Sequence, residues 1–267
     1  MGRSSPELAI PAARSLRRRY RLELALVLGL GLGQSAVYSV VALIARLTAG
    51  KPLAQQTASI NPAQSTREWL DATYQLLGNL FPLVVVALAL FLLWIEPDRP
   101  FERIGLTRGQ LGRDVRRVGV LVALVGIPGL GVYVIGRILG LTVQVEAASL
   151  TQFWWTIPML LLAASRAALE EEIVVIGFVF RRLEQLGWRA WPTLTAAALL
   201  RGSYHLYQGI GPFIGNVAMG FIFGWCYQRW GRVLPLVIAH FLFDAVQFVG
   251  YPVAVALWPA IFWSTHA

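Results

Sequence analysis

Charged residues, lysine and cysteine are all scarce in this chain of 267 residues. Only 14% of the residues are charged, against 57% that are hydrophobic, and the mean hydropathy is +0.60. Because soluble proteins carry about 25% charged residues, this balance excludes a soluble enzyme, a nucleic-acid-binding module and a disordered tail. The single cysteine, Cys226, excludes an intrachain disulfide and a thiolate metal cluster.

Several apolar stretches reach about 18 residues or more, the length needed to cross a hydrocarbon core of about 30 Å. Together with the helix breakers between them, they predict an all-α fold: a polytopic transmembrane helix bundle with seven to eight spans. The predicted spans lie near 22–47, 76–96, 118–141, 153–180, 192–208, 212–228 and 233–250. A short final segment, 251–263, is either a closing helix or a re-entrant piece.

The chain divides into three predicted parts on the same basis. These are a cytoplasmic basic tail (1–21), N-terminal transmembrane helices (22–150) with a cytoplasmic linker (97–117), and a C-terminal transmembrane core (151–267). The linker mixes arginines with apolar residues, which fits either an interfacial helix on anionic lipid or a solvated basic loop. Glycines recur along the sixth span at Gly211, Gly215, Gly220 and Gly224, and they predict close helix packing within the molecule.

Basic residues predict the orientation in the membrane. Lys51 is the only lysine among 23 basic residues, and the arginines gather in short loops. Four alternate segments hold seventeen basic residues and the intervening ones hold three, counted over 1–21, 97–117, 181–190 and 229–232 against 46–70, 142–152 and 208–212. By the positive-inside rule the N-terminus is cytoplasmic. The composition is typical of a multi-pass protein of a bacterial plasma membrane, with membrane lipids and not nucleic acid as its partners.

Ionisable residues inside the predicted spans are the main indication of function. They are Arg166, Glu170, Glu171 and Glu172 in the fourth span, Arg201 and His205 in the fifth, and His240 and Asp244 in the seventh. A charge at the centre of a membrane helix costs roughly 2.5–3.5 kcal/mol, so these groups are expected to face one another or water. The sequence therefore predicts a polar site inside the bundle.

Helix geometry suggests how the groups meet. At about 100° per residue, Glu171 lies between Glu170 and Glu172 and points to the centre of the polar face. The pairs Arg201 with His205 and His240 with Asp244 are each four residues apart, so each pair lies on one helical face. A carboxylate and imidazoles suit general acid and base catalysis, divalent metal binding or a proton relay. From the residues alone, a hydrolase, a transporter and a scaffold protein all remain open.

Three short motifs resemble a known family of enzymes. EEIVVIG begins at Glu171, RGSYH ends at His205 and HFLFD runs from His240 to Asp244. Their order resembles that of the CAAX prenyl protease and bacteriocin-processing (CPBP or Abi) intramembrane proteases, whose pattern is EExxxR, FxxxH and HxxxN or HxxxD. The similarity runs from about residue 155 to 251, and FERIGLTR in the linker is also similar. The family's fold is an eight-helix bundle with an active site open to the cytoplasm.

The resemblance implies an intramembrane endopeptidase acting on membrane-embedded peptides or protein tails. Glu171, next to Glu172, would activate water, and His205 would hold that water or protonate the leaving amine. His240, oriented by Asp244, would stabilise the oxyanion. The family has been described as metalloproteases. The resemblance therefore leaves two alternatives: a divalent metal such as zinc on Glu171, His205 and His240, or no cofactor.

Two positions depart from the family pattern. Ile176 stands where the first motif has arginine, and Arg201 stands where the second motif has phenylalanine. We expect Arg201 to support the site by pairing with Glu172; the alternative is that it pairs with Asp244 or reaches the interface. The departures also keep open a catalytically inactive relative that acts as a membrane scaffold or chaperone, and a proton-coupled transporter.

Overall fold

The structure is a computed structural model that describes residues 6–97, 99–107, 109–146, 153–250 and 253. It is mostly helical, which confirms the all-α prediction in its coarse form. The helices are α1 (Pro6–Leu30), α2 (Leu32–Leu47), α3 (Glu68–Trp94), α4 (Pro100–Arg103), α5 (Leu111–Leu121), α6 (Ile127–Ile138), α7 (Thr156–Leu169), α8 (Phe180–Gln185), α9 (Ala190–Ser203), α10 (Ile210–Trp230) and α11 (Leu234–Ala245). Three segments are π-helical, Val122–Gly126, Glu170–Val179 and Val246–Gly250, and two are 3₁₀ turns, Leu53–Gln55 and Leu206–Gln208.

Three helices in the described part of the chain are long and apolar enough to cross a membrane. They are α3, the continuous run Leu111–Ile138 and α10. The first predicted span, 22–47, is not one straight helix, since α1 and α2 meet at Gly31 with a bend of 51°; counted as one span, the pair brings the number to four.

The prediction of seven to eight spans is therefore not confirmed, and the reasons are visible in the remaining helices. The run 156–185 is long but carries the charged residues of the site. Helix α9 has 14 residues, and Leu234–Gly250 is also shorter than a full span. Apart from Val253, the final predicted segment 251–263 lies outside the described residues. The division of the chain into three parts stays a prediction.

The described part of the linker packs in part against the bundle, so it is not a fully solvated loop; its contact with lipid stays a prediction. Ile104 is buried, and its carbonyl accepts a hydrogen bond from the Val233 amide at 2.8 Å. Arg232 binds the carboxylate of Asp114 through Nη2 at 2.6 Å, and both residues are buried. Gly105 has φ of 68°, where a side chain would meet the backbone of Arg232. The third span consequently begins at Leu111 rather than near residue 118.

A small parallel sheet joins two loops that the positive-inside rule places outside the cell. Strand β1 (Thr57–Ser59) pairs with β2 (Gln144–Glu146), Ala58 lying opposite Val145. Thr142 bridges to Gly209, which follows the turn after α9 and has φ of 106°. Strands of three residues give no periodic signal, so the sequence did not predict this sheet. Its effect is to anchor the turn that carries His205.

Glycines allow α10 to pack closely on its neighbours. A side chain at Gly220 would lie 2.8 Å from the Cα of Ala198 in α9, and one at Gly224 would meet Leu194. Gly215 faces Val132 of α6 instead, and Gly211 lies against Thr142 and Gly136. The predicted packing within the molecule is thus confirmed, and it brings α9 close to the centre of the bundle.

Candidate active site

Glu171 and Glu172 lie in a π-helical segment at the centre of one continuous helix. All ten residues of Glu170–Val179 are buried. A π-helix has more residues per turn than an α-helix, so successive side chains diverge less, and such segments are frequent at functional sites. The assumption of about 100° per residue, which put Glu171 alone at the centre of the polar face, is wrong here. Glu171 and Glu172 both face the same partner.

That partner is Arg201, which is 1% exposed. Its Nη1 donates to Glu172 Oε1 at 2.7 Å, and its Nη2 lies 3.1 Å from Glu171 Oε2. The guanidinium also lies over the ring of Phe223, at 5.2 Å from the centroid. The expected contact with Glu172 is present, and the burial of Arg201 excludes the alternative that it reaches the interface.

His240 joins this group from α11. Its Nδ1 lies 2.8 Å from Glu172 Oε1 and 3.1 Å from Arg201 Nη2. Because a carboxylate oxygen only accepts, Nδ1 donates its hydrogen to Glu172 and cannot also accept one from Arg201. On the other side of the ring, Nε2 lies 3.6 Å from Asp244 Oδ2, too far for a hydrogen bond. Asp244 therefore lies beside His240, as its spacing of four residues predicts.

His205 lies in the turn after α9, not on the helix. Helix α9 ends at Ser203, so Arg201 and His205 do not lie on one helical face, and that part of the prediction is wrong. His205 Nε2 nevertheless lies 4.0 Å from Glu171 Oε1. Neither ring nitrogen has a hydrogen-bond partner among the described residues, although both atoms are buried. The side chain is 21% exposed.

Tyr204 is a site residue that the sequence analysis missed. Its hydroxyl donates to Glu171 Oε2 at 2.8 Å, and its carbonyl accepts from Ser39 Oγ of α2 at 2.8 Å. The only sequence signal for Tyr204 is its position between Arg201 and His205. From sequence alone a tyrosine at this position is usually interpreted as a packing residue. Tyr204 can bond to Glu171 because α9 ends at Ser203, one residue earlier.

The two oxygens of Glu171 have different environments. Oε2 accepts a hydrogen bond from the Tyr204 hydroxyl and forms an ion pair with Arg201, and these two contacts hold the carboxylate in place. Oε1 faces the unpartnered ring of His205. This arrangement suits a general base. Glu171 can accept a proton through Oε1, and the His205 ring is close enough to hold the same water molecule in place.

A divalent metal does not fit these residues as they are placed. The predicted ligand set was Glu171, His205 and His240, whereas the atoms close enough to share an ion belong to Glu171, Glu172 and His240, within 4.8 Å of one another. All three are already in contact with the guanidinium of Arg201. A metal would have to enter a space that already holds the guanidinium cation.

Comparison with known proteins gives one match, and it covers the part of the chain that contains these residues. Residues 153–246 match the family model described as type II CAAX prenyl endopeptidase Rce1-like. The chain matches no curated protein and no solved structure. The matched segment contains all of the residues placed together above, Glu171, Glu172, Arg201, Tyr204, His205, His240 and Asp244. Through this segment the chain is similar to the Rce1-like CAAX prenyl endopeptidases of the CPBP family.

Proposed function

We propose that the protein is an intramembrane endopeptidase that hydrolyses peptide bonds of membrane-associated peptides or proteins through water activated by Glu171. The observation that carries this proposal is the pair formed by Glu171 Oε1 and the unpartnered ring of His205, 4.0 Å apart. One water can bind both groups at once. The family supports the reaction class, and the geometry supports the choice of Glu171 as base.

The proposed reaction proceeds in two proton transfers. Glu171 Oε1 takes a proton from water as the water oxygen bonds to the scissile carbonyl carbon. The carbonyl oxygen becomes an oxyanion, which receives a hydrogen bond from Nε2 of His240; the ring acts in its protonated form, since its Nδ1 hydrogen is donated to Glu172. The bond from carbon to nitrogen then breaks, and a proton from Glu171 or His205 goes to the leaving amine. No cofactor is needed to balance these steps.

The remaining residues position the base. Arg201 and Tyr204 hold Glu171 Oε2, which leaves Oε1 as the oxygen that accepts the proton. The substrate reaches this layer from the bilayer or from the cytoplasm, since we propose a bacterial plasma membrane and a cytoplasmic N-terminus on the distribution of arginines.

Cleavage of a library of quenched peptides in proteoliposomes tests the proposal. We expect Glu171→Gln to lower the rate at least about a hundredfold, because the amide cannot accept the proton. Glu170→Gln is the matched control: Glu170 is the adjacent carboxylate, but it pairs with Arg166 at 3.2 Å and not with Arg201. Equal rates for wild type and Glu171→Gln would refute the peptidase, and proton-coupled flux in the same liposomes would favour a transporter.

A further inference from the structure

The catalytic layer contains a set of metal-type ligands whose centre is filled by an arginine. Oxygens of Glu171 and Glu172 and a nitrogen of His240 lie within 4.8 Å of one another. Catalytic zinc sites have three protein ligands, and carboxylate oxygens and imidazole nitrogens are among the ligand types that zinc accepts. Arg201 approaches each of them at 2.7–3.1 Å through Nη1 and Nη2.

Two buried carboxylates need a positive charge nearby, because an unpaired charge in the low-dielectric interior is strongly destabilising. Arg201 supplies it permanently, since a guanidinium stays protonated in proteins. Its position is fixed on both sides: the ring of Phe223 lies beneath the guanidinium, and the side-chain stem lies over Gly220, where a Cβ would be 3.4 Å from Arg201 Cδ. A free ion would have to displace a cation that is covalently tethered and fully packed.

We infer that Arg201 is a positioning residue that takes the place of a metal ion in this layer, and that its removal uncovers a latent divalent-metal site on Glu171, Glu172 and His240. Ile176, where the family pattern has arginine, carries no charge, so the positive charge of the layer comes from α9. Arg201, which is not a metal ligand, thus keeps the metal affinity of this layer low.

Metal binding by the full-length protein in detergent tests this inference. Wild type, Arg201→Met and Arg166→Met are stripped with chelator, and each is then titrated with Zn²⁺ and Co²⁺. Arg166 is the matched control, because it is the other arginine of this region that pairs with a glutamate, Glu170, and it does not contact the three ligands. Bound metal is measured by elemental analysis after desalting, Co²⁺ coordination by visible absorption, and folding by thermal unfolding.

We expect Arg201→Met to retain one ion per chain, to give a Co²⁺ spectrum and to be stabilised by Zn²⁺. Wild type and Arg166→Met should retain much less than one ion and should unfold at the same temperature with and without metal. Adding Glu172→Gln to Arg201→Met should abolish the gain, because one ligand is lost.

Two results would overturn the inference. One is a folded Arg201→Met that binds no more Zn²⁺ than wild type. The other is a stoichiometric ion in wild type that is lost in Glu171→Gln, a measurement that does not depend on whether Arg201→Met folds. None of these readouts uses peptide cleavage. The inference about Arg201 can therefore fail while the proposed peptidase activity stands, and the peptidase proposal can fail while the inference stands.

Discussion

Two buried arginines, Arg182 and Arg201, occupy similar surroundings and differ in how completely they are bonded. Arg182 is 0% exposed and Arg201 is 1% exposed, and each pairs with two carboxylates and lies over an aromatic ring. Every nitrogen of Arg182 has a partner. The partners are Glu23 Oε2 at 2.6 Å, Glu96 Oε1, Gln185 Oε1 at 2.9 Å and the carbonyl of Leu92 at 2.9 Å.

The layer around Arg201 leaves several buried polar atoms without partners among the described residues. They are Nε of Arg201, Oε2 of Glu172 and both ring nitrogens of His205. Buried polar groups are nearly always bonded, and the exceptions require a reason such as a catalytic role. The Arg182 cluster therefore joins α1, α3 and α8 as a structural element, whereas the Arg201 layer retains unused donors and acceptors, as the proposed peptidase requires.

Loss of Arg182 should have the largest effect on folding. In Arg182→Met the buried carboxylates of Glu23 and Glu96 keep only their outer partners, Arg19 and Arg181, so we expect the free energy of unfolding to fall by about 3 kcal/mol, the lower end of the cost of breaking a buried ion pair. Equilibrium unfolding in mixed detergent measures it, with Arg18→Met on the exposed side of α1 as the control. If both variants unfold like wild type, the cluster is not structural and the contrast with Arg201 is lost.

Replacement of His205 should lower the cleavage rate and leave stability nearly unchanged, whereas loss of Arg182 lowers stability. Because neither ring nitrogen is bonded within the protein, His205→Asn should leave the free energy of unfolding nearly unchanged. The cleavage rate should fall about a hundredfold, which corresponds to about 2.7 kcal/mol of transition-state stabilisation. Gln185→Ala, in the Arg182 cluster, should lose stability and keep its rate. A large loss of stability in His205→Asn would show that the ring is structural.

A change at Tyr204 tests a single hydrogen bond within the Arg201 layer. Tyr204→Phe removes only the hydroxyl that donates to Glu171 Oε2. Arg201 still holds that oxygen, so we expect the cleavage rate to fall about tenfold, or about 1.4 kcal/mol, rather than a hundredfold. A matched change, Tyr207→Phe, should leave the cleavage rate unchanged, because the Tyr207 hydroxyl accepts a hydrogen bond from Gln208 and does not donate one to Glu171. A Tyr204→Phe loss as large as that of Glu171→Gln would make Tyr204 a direct participant in the reaction.

The grouping of residues around Arg201 was largely predictable from the sequence, because charges inside apolar spans are costly wherever they occur. Glu171, Glu172, Arg201, His205, His240 and Asp244 could therefore be grouped before their distances were known. Their detailed bonding could not be predicted. The π-helical segment changes which carboxylates share a face, and the end of α9 at Ser203 moves His205 off the helix and brings Tyr204 to Glu171.

The Arg182 cluster was not predictable, because its members come from segments far apart in the chain and look like ordinary topogenic charges. Arg182 was counted among the basic residues of the predicted cytoplasmic segment 181–190, and Glu23 and Glu96 lie at the ends of predicted spans. Positive-inside statistics describe where arginines occur and not which of them are buried. Only its contacts with Glu23 of α1 and the Leu92 carbonyl of α3 distinguish Arg182 from the exposed Arg189 of the same predicted loop.

The smallest expected effect concerns Arg19, which also pairs with Glu23, through Nε and Oε1 at 2.6 Å. Its side chain is 48% exposed, and the pair spans one helical turn of α1, so solvent screens the attraction. We expect Arg19→Ala to lower the free energy of unfolding by no more than about 0.5 kcal/mol. A double-mutant cycle with Glu23→Gln measures the coupling, and the same cycle between Arg182 and Glu23 should give a value several times larger. Equal couplings would mean that burial does not distinguish the two partners of Glu23, and that Arg182 is held by Glu96 alone.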